Sequence, residues 1–159
     1  MQQRLSMLLF ALAGSLAFFC PNCANADNAL LINELMAKNG LAVEDPQGEY
    51  DDYVEIYNAS EEALDVAGMY LTNSLSDSMQ WQFPLDRPEL TVIGPHAYLV
   101  IWADKDESDA GLHASFQLNG DGETVALFAS DGVSLVDSVE FGKQALDTSY
   151  GRFNNEGFY

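Results

Sequence analysis

From residue 29 onward the apolar residues fall in short runs separated by turn residues, not at the three-to-four-residue spacing of a helix face. The runs are ALLINELMA (29–37), DYVEIYNAS (52–60), AGMYLTN (67–73), QWQFP (80–84), ELTVIG (89–94), AYLVIWAD (97–104), HASFQLNG (113–120), ETVALFAS (123–130) and SLVDSVEFG (134–142), with SYGRF (149–153) as one more. They are rich in Val, Ile, Tyr, Phe, Trp and Thr, the residues that fit a pleated, half-buried surface. Several alternate: Thr124, Ala126 and Phe128 oppose Val125, Leu127 and Ala129. Val133, Leu135, Asp137, Val139 and Phe141 oppose Ser134, Val136, Ser138 and Glu140. YLVIWA is apolar on both faces, which predicts a strand covered on both sides. About nine short strands, with no helix longer than a turn or two, predict an all-β two-sheet sandwich.

The breaks between runs carry turn chemistry: Asn39-Gly40, Pro46 to Gly48, Gly94-Pro95, Asn119-Gly120-Asp121-Gly122 and Asp131-Gly132. Glycines 120 and 122 allow positive φ at a tight reversal. Trp81 and Phe83, two residues apart on one face, read as core anchors, and Asn58 and Ser60 suit side-chain-bonded turns at the end of their strand. The longest interruptions, 39–51 and 105–112, are acidic and are expected to reach beyond the sandwich.

The N-terminus has a different pattern. Arg4 precedes an apolar run from Met7 to Phe19, then Pro21 and the small-residue sequence Ala24-Asn25-Ala26. That order is a secretory signal peptide over 1–26, helical and cleaved between Ala26 and Asp27. The run is too short to span a bilayer, so no membrane span is expected after cleavage, and the protein is expected to be secreted, periplasmic or extracellular. Cys20 and Cys23 leave with the peptide, so the mature domain must fold without a disulfide.

Charge narrows the partners. Lys and Arg total 6 against 25 Asp and Glu, a formal net charge of −19. Such a surface repels phosphate backbones, and no nucleic-acid partner is expected. Catalysis is not expected either. Both histidines, His96 and His113, are predicted at the surface or rim, and the chain has no Gly-x-Ser-x-Gly elbow. Glu34 and Glu55 interrupt apolar strands, and strand alternation puts both on the solvent face. Asp104, Asp106 and Asp109 are spaced like the opening of a calcium loop and are the candidate Ca²⁺ ligands, although position twelve is Ser115 where a bidentate Glu belongs. A second acidic group, Glu44, Asp45, Glu49, Asp51 and Asp52, lies in the first long loop.

The succession INELMA (32–37), DDYVEIYNAS (51–60), LDVAGMYLTN (64–73), WQFP (81–84), VIGPHAYLVIWAD (92–104), LHASFQLNGDGETVALF (112–128), VDSVEFG (136–142) and DTSYGR (147–152) resembles the lamin-tail domain of secreted bacterial type. The resemblance implies an immunoglobulin-like sandwich, here over 27–153, and a non-catalytic module for interaction, adhesion or tethering through a protein or cell-surface partner. The alternative it implies is an N-terminal accessory domain of a larger secreted hydrolase or nuclease. Residues 154–159 lack the Gly/Pro-containing tail of the family, which fits either an incomplete frame or a short stand-alone module.

Overall fold

A computed structural model describes residues 29–153 and 157–159; the expected signal peptide, its Ala26–Asp27 junction and the two cysteines lie outside the described residues. In chain order the elements are β1 (Leu30–Met36), β2 (Tyr53–Asn58), β3 (Leu64–Asp65), β4 (Tyr70–Thr72), β5 (Trp81–Gln82), α1 (Pro88–Thr91), β6 (Val92–Ile93), β7 (Tyr98–Ala103), β8 (His113–Ala114), β9 (Glu123–Phe128), β10 (Leu135–Phe141), β11 (Tyr150–Phe153) and β12 (Gly157–Phe158). One sheet has the order β12-β11-β1-β2-β7-β8, a second β10-β9-β4-β5, and β3 pairs with β6 alone. The chain is thus nearly all β, and its one described helix is a single turn opened by Pro88.

Inward residues of both sheets form one core. Ile32, Leu35, Val54, Ile56 and Ile101 from the six-stranded sheet share it with Leu71, Val125, Leu127, Val139 and Phe141 from the four-stranded one. Trp81 and Phe83 are buried there as the sequence predicts, with ring centroids 4.7 Å apart and edge-on.

Two β-bulges decide which residues face this core. In β1 the register with β2 shifts between Ile32 and Glu34, so Asn33 is an extra residue. Strict alternation would put Ile32 and Leu35 on opposite faces; the bulge turns both inward, each fully buried. In β10 the register with β9 shifts between Leu135 and Asp137. Val136 therefore packs against the core while Leu135 is exposed, the reverse of the face the alternation predicts.

The bulges are joined to each other. Asp137 of β10 accepts hydrogen bonds from the Ile32 amide and from Arg152 Nη2, both at 2.8 Å. Arg152 Nε donates to the Ile32 carbonyl at 3.2 Å. Both backbone groups of Ile32 are therefore bound by side chains, which links the two sheets where their ladders are irregular.

Turns follow the sequence closely. His96, at φ 53°, is the third residue of a Gly94–Ala97 turn with Pro95 second and a 3.1 Å closing hydrogen bond. Gly122 has the positive φ, 114°, that its turn requires, whereas Gly120 is needed for a different reason: a Cβ there would stand 2.1 Å from Lys38 Cε and 2.9 Å from the Ala37 carbonyl oxygen.

Asn58 does more than turn the chain. It is fully buried, and its amide donates to the carbonyls of Glu62, Ile93 and Gly94 at 2.7–3.0 Å while its oxygen accepts from the Ser60 amide and hydroxyl. This ties the end of β2 to β6. Asn58→Asp keeps the shape but points a second acceptor at three carbonyls, and it should destabilise the domain by roughly 2–4 kcal/mol. Urea unfolding at neutral pH measures this; a loss under about 1 kcal/mol would show that the amide is not the tie it looks to be.

Candidate functional site

The outer face of the six-stranded sheet is built of directly opposed rows. The register pairs Leu31 with Tyr57 and Tyr57 with Tyr98; Glu34 with Glu55 and Glu55 with Val100; Met36 with Tyr53 and Tyr53 with Trp102. The last row is a small cluster of its own, buried, with the Tyr53 and Trp102 rings edge-on at 5.9 Å. Val43, from the first long loop, reaches this end and lines a cavity of about 180 Å³ with Tyr53, Glu55, Val100 and Trp102. The opposite end is open. Tyr98 is 57% exposed and Val100 37%, and the Tyr57 and Tyr98 rings lie tilted at 4.8 Å with His96 beyond them. The expectation that YLVIWA is covered on both sides therefore holds at Trp102, in part at Val100 and not at Tyr98. The loop that covers the sheet stops at Val100.

Glu34 and Glu55 hold the middle row. Tyr53 donates its hydroxyl to Glu34, and Asn33 Nδ2 donates to Glu55 at 2.7 Å. Both acids are on the outer side, as the sequence predicts, but half-buried. Burial holds the Glu55 carboxyl above its ordinary value despite the Asn33 hydrogen bond, and the neighbouring Glu34 pushes it the same way.

A second constellation lies where the two acidic loops meet. β8 pairs parallel to β7, Trp102 opposite His113, so the 104–112 connection must double back over the sheet end. It returns His113 Nδ1 to 2.6 Å from Asp104 Oδ2, both side chains nearly sealed from solvent. The first loop closes on this point. Asp45 caps a tight Asp45–Glu49 turn, its Oδ1 accepting from the Gln47 and Glu49 amides at 2.9 and 2.7 Å. Gln47 Nε2 donates to the Ala110 carbonyl of the other loop at 3.3 Å. Asn39, itself buried, staples the loop base by donating to the Val43 and Asp51 carbonyls. One ligand atom each of Asp45, Asp104 and His113 falls within 4.8 Å of the others, and so does one each of Asp45, Glu49 and Asp51.

A family model described as Lamin Tail Domain matches residues 24–143. The chain belongs to this family. No curated protein and no solved structure matches it. Of the motifs that carry the resemblance, only DTSYGR (147–152) falls beyond the matched residues. Lamin tail domains are immunoglobulin-like and non-enzymatic as a family.

In this lamin tail domain the candidate ligands read from the sequence separate. Asp104 turns inward to His113. Asp106 is exposed and accepts from Ser108 Oγ at 2.9 Å, and its main-chain carbonyl takes the Asp109 amide. Among the described residues neither Asp106 nor Asp109 belongs to a converging set of ligands. His113 corrects the expectation of a surface or rim residue: it is 3% exposed, because the parallel β7–β8 pairing draws it under the first loop. His96 is a rim residue, half exposed and 3.2 Å from Glu61. Nothing in the local sequence marks Asp45 or His113 as neighbours; the only hint is that both long loops are acidic.

The protonation equilibria of this end share one sign. Burial pushes the Asp52 carboxyl up to about 6, against the lowering hydrogen bond from the Asn39 amide, with Asp51 and Glu123 adding to the rise. Burial and then the charges of Asp104, Asp45 and Glu49 raise Asp51. Burial disfavours the His113 imidazolium, but the Asp104 hydrogen bond and charge, helped by the Ala110 carbonyl and Asp109, outweigh it and leave its pKa above the ordinary value. Each group binds its proton more tightly folded than unfolded, so the stability it adds is present at the acid end and lost as pH rises through its folded pKa. The lowered carboxyls of Asp131 and Glu89 act oppositely, below about pH 4. Calorimetric scans in chelator should therefore give a melting temperature that is highest near pH 4 and falls toward pH 8. Asp52→Asn should flatten the fall between about pH 4 and 6; an unchanged profile in that variant contradicts the assignment.

Proposed function

We propose that this lamin tail domain is a non-catalytic interaction module that acts outside the cytoplasm, tethering by docking a protein partner on the outer face of its six-stranded sheet. The observation that carries the reading is the open Tyr57–Tyr98 and Val100 end of that face. A wetted antiparallel sheet face ordinarily alternates to polar residues, and here three neighbouring outward positions are aromatic or aliphatic. Tyrosines present large, rigid contact area at little entropic cost, which suits them to an interface centre.

The partner's chemistry follows from what surrounds those rings. Glu34, Glu55 and Glu61 flank them, on a chain of net charge −19. The fitting surface is a protein patch with an apolar centre and a cationic rim, so association should be fast at low salt and weakened by added salt. A non-catalytic role is supported by the histidines: among the described residues the hydrogen-bond partners of His113 are Asp104 and Ala110, and those of His96 are Tyr57 and Glu61, with no serine or threonine hydroxyl at either.

A photo-crosslinking residue placed at Tyr98, with a control at Val133 on the β9–β10 turn, tests the face directly. Exposed to surface and extracellular proteins of the source cells, the Tyr98 probe should give a defined adduct that the Val133 probe does not. Unlabelled protein should compete it away, high salt should diminish it, and a Tyr98→Ser competitor should fail. Equal adducts at both positions, or equal competition by Tyr98→Ser, would refute the docking face.

A further inference from the structure

The geometry points to a site for one divalent cation of the kind that takes mixed nitrogen and carboxylate donors, Zn²⁺ foremost, formed by Asp45, Asp104 and His113 with Asp51 and Glu49 on its outer side. An acidic cluster alone would not suffice. The deciding feature is Asp45, a residue only 6% exposed. Its Oδ1 is taken up by two backbone amides, while Oδ2 is buried without a hydrogen-bond partner. A buried carboxylate oxygen left unpartnered carries its full desolvation penalty, and a cation removes it.

The surroundings supply the remaining requirements. Among the described residues Lys38, Arg87 and Arg152 pair with Asp121, Glu89 and Asp137, and Lys105 donates to Gln117, while His113 pairs with Asp104 inside the cluster. His113 Nδ1 lies 2.6 Å from Asp104 Oδ2, the distance of a hydrogen bond through one proton. Ligands around a four-coordinate Zn²⁺ stand about 3.4 Å apart, so replacing that proton by the ion needs the two atoms to separate by under an ångström. The exchange is balanced: the ion enters, the imidazole proton leaves to solvent, and the ring binds as neutral nitrogen. The neutral ring keeps a second nitrogen, Nε2, which faces the Ala110 carbonyl at 3.4 Å and could hold the ring's orientation by donating to it. A groove of about 310 Å³, walled in part by Asp109, Glu107 and Arg87, borders the cluster at His113. Ca²⁺ fits less well, since it takes six to eight oxygens and gains little from an imidazole.

The rival occupant is a proton, which leaves His113 as imidazolium and the internal counter-ion of the cluster. Titration calorimetry distinguishes the two. It uses the full chain freed of metal, with Cys20→Ser and Cys23→Ser so that thiols do not compete. Zn²⁺ should bind one to one, with heats that depend on the buffer because protons are released, and should raise the melting temperature. Asp45→Asn, which can keep the Oδ1 turn bonds, should weaken Zn²⁺ binding at least ~10-fold. Nitrogen-15 spectra of the His113 ring in the unaltered cluster need no further variant: its nitrogens should shift on adding Zn²⁺. Absence of one-to-one binding, an affinity untouched by Asp45→Asn, or Zn²⁺ binding without movement of the His113 signals would each overturn the site. An equal response to Ca²⁺ with a silent ring would overturn the nitrogen ligand and leave an oxygen-only site.

Discussion

The two acidic loops of this domain meet on one imidazole, and that meeting is the constraint on which this end of the sandwich depends. Chains carrying Glu44, Asp45, Glu49 and Asp51 on one side and Asp104, Asp106, Glu107 and Asp109 on the other repel one another. They close because β8 runs parallel to β7 and delivers His113 between Asp104 and the first loop. Once the loops close, Val43 is laid over Tyr53 and Trp102, and one end of the outer sheet face is sealed. The other end, at Tyr57 and Tyr98, stays open because the loop reaches no further than the partly exposed Val100. The candidate docking face and the candidate cation site are thus two consequences of one loop closure.

The rest of the sandwich holds without covalent help, since the described residues include no cysteine. Two irregular strands, β1 and β10, are joined at their bulges by Asp137 and Arg152, which take up both backbone groups of Ile32. The Asn33 bulge also sets the faces of β1, sending Leu35 to the core and Glu34 and Met36 outward. Without it the outer rows on Glu55 and Tyr53 would lose their third member. Packing, strand pairing and these few buried polar ties hold the described sandwich together in place of a disulfide.

Much of this was legible in the residues. Strand existence, the core role of Trp81 and Phe83, the Asn58–Ser60 turn and the family followed from apolar runs, local turn chemistry and motif order, all of which are short-range signals. The bulges were harder, because one inserted residue reverses a two-residue period. The adjacent polar pair Asn33-Glu34 between Ile32 and Leu35 was their trace in β1. The open Tyr98–Val100 end escaped because the composition of a strand does not say where a loop from elsewhere stops. His113 and Asp45 escaped for a related reason: 68 residues separate them, and only the parallel return of β8 brings them together. The sequence showed acidic loops but not their shared centre.

Amide hydrogen exchange tests the claim that the two loops form one unit most directly. The Gln47 and Glu49 amides are bonded to Asp45, more than fifty residues before Asp104 in the chain. If the closure rests on the Asp104–His113 pair, Asp104→Asn should speed exchange at Gln47 and Glu49 while leaving Val125 and Leu127, in the core of the other sheet, protected. Unchanged protection at Gln47 and Glu49 would show that each loop folds by itself. Loss at Val125 and Leu127 as well would show that the pair supports the whole sandwich and not this end alone.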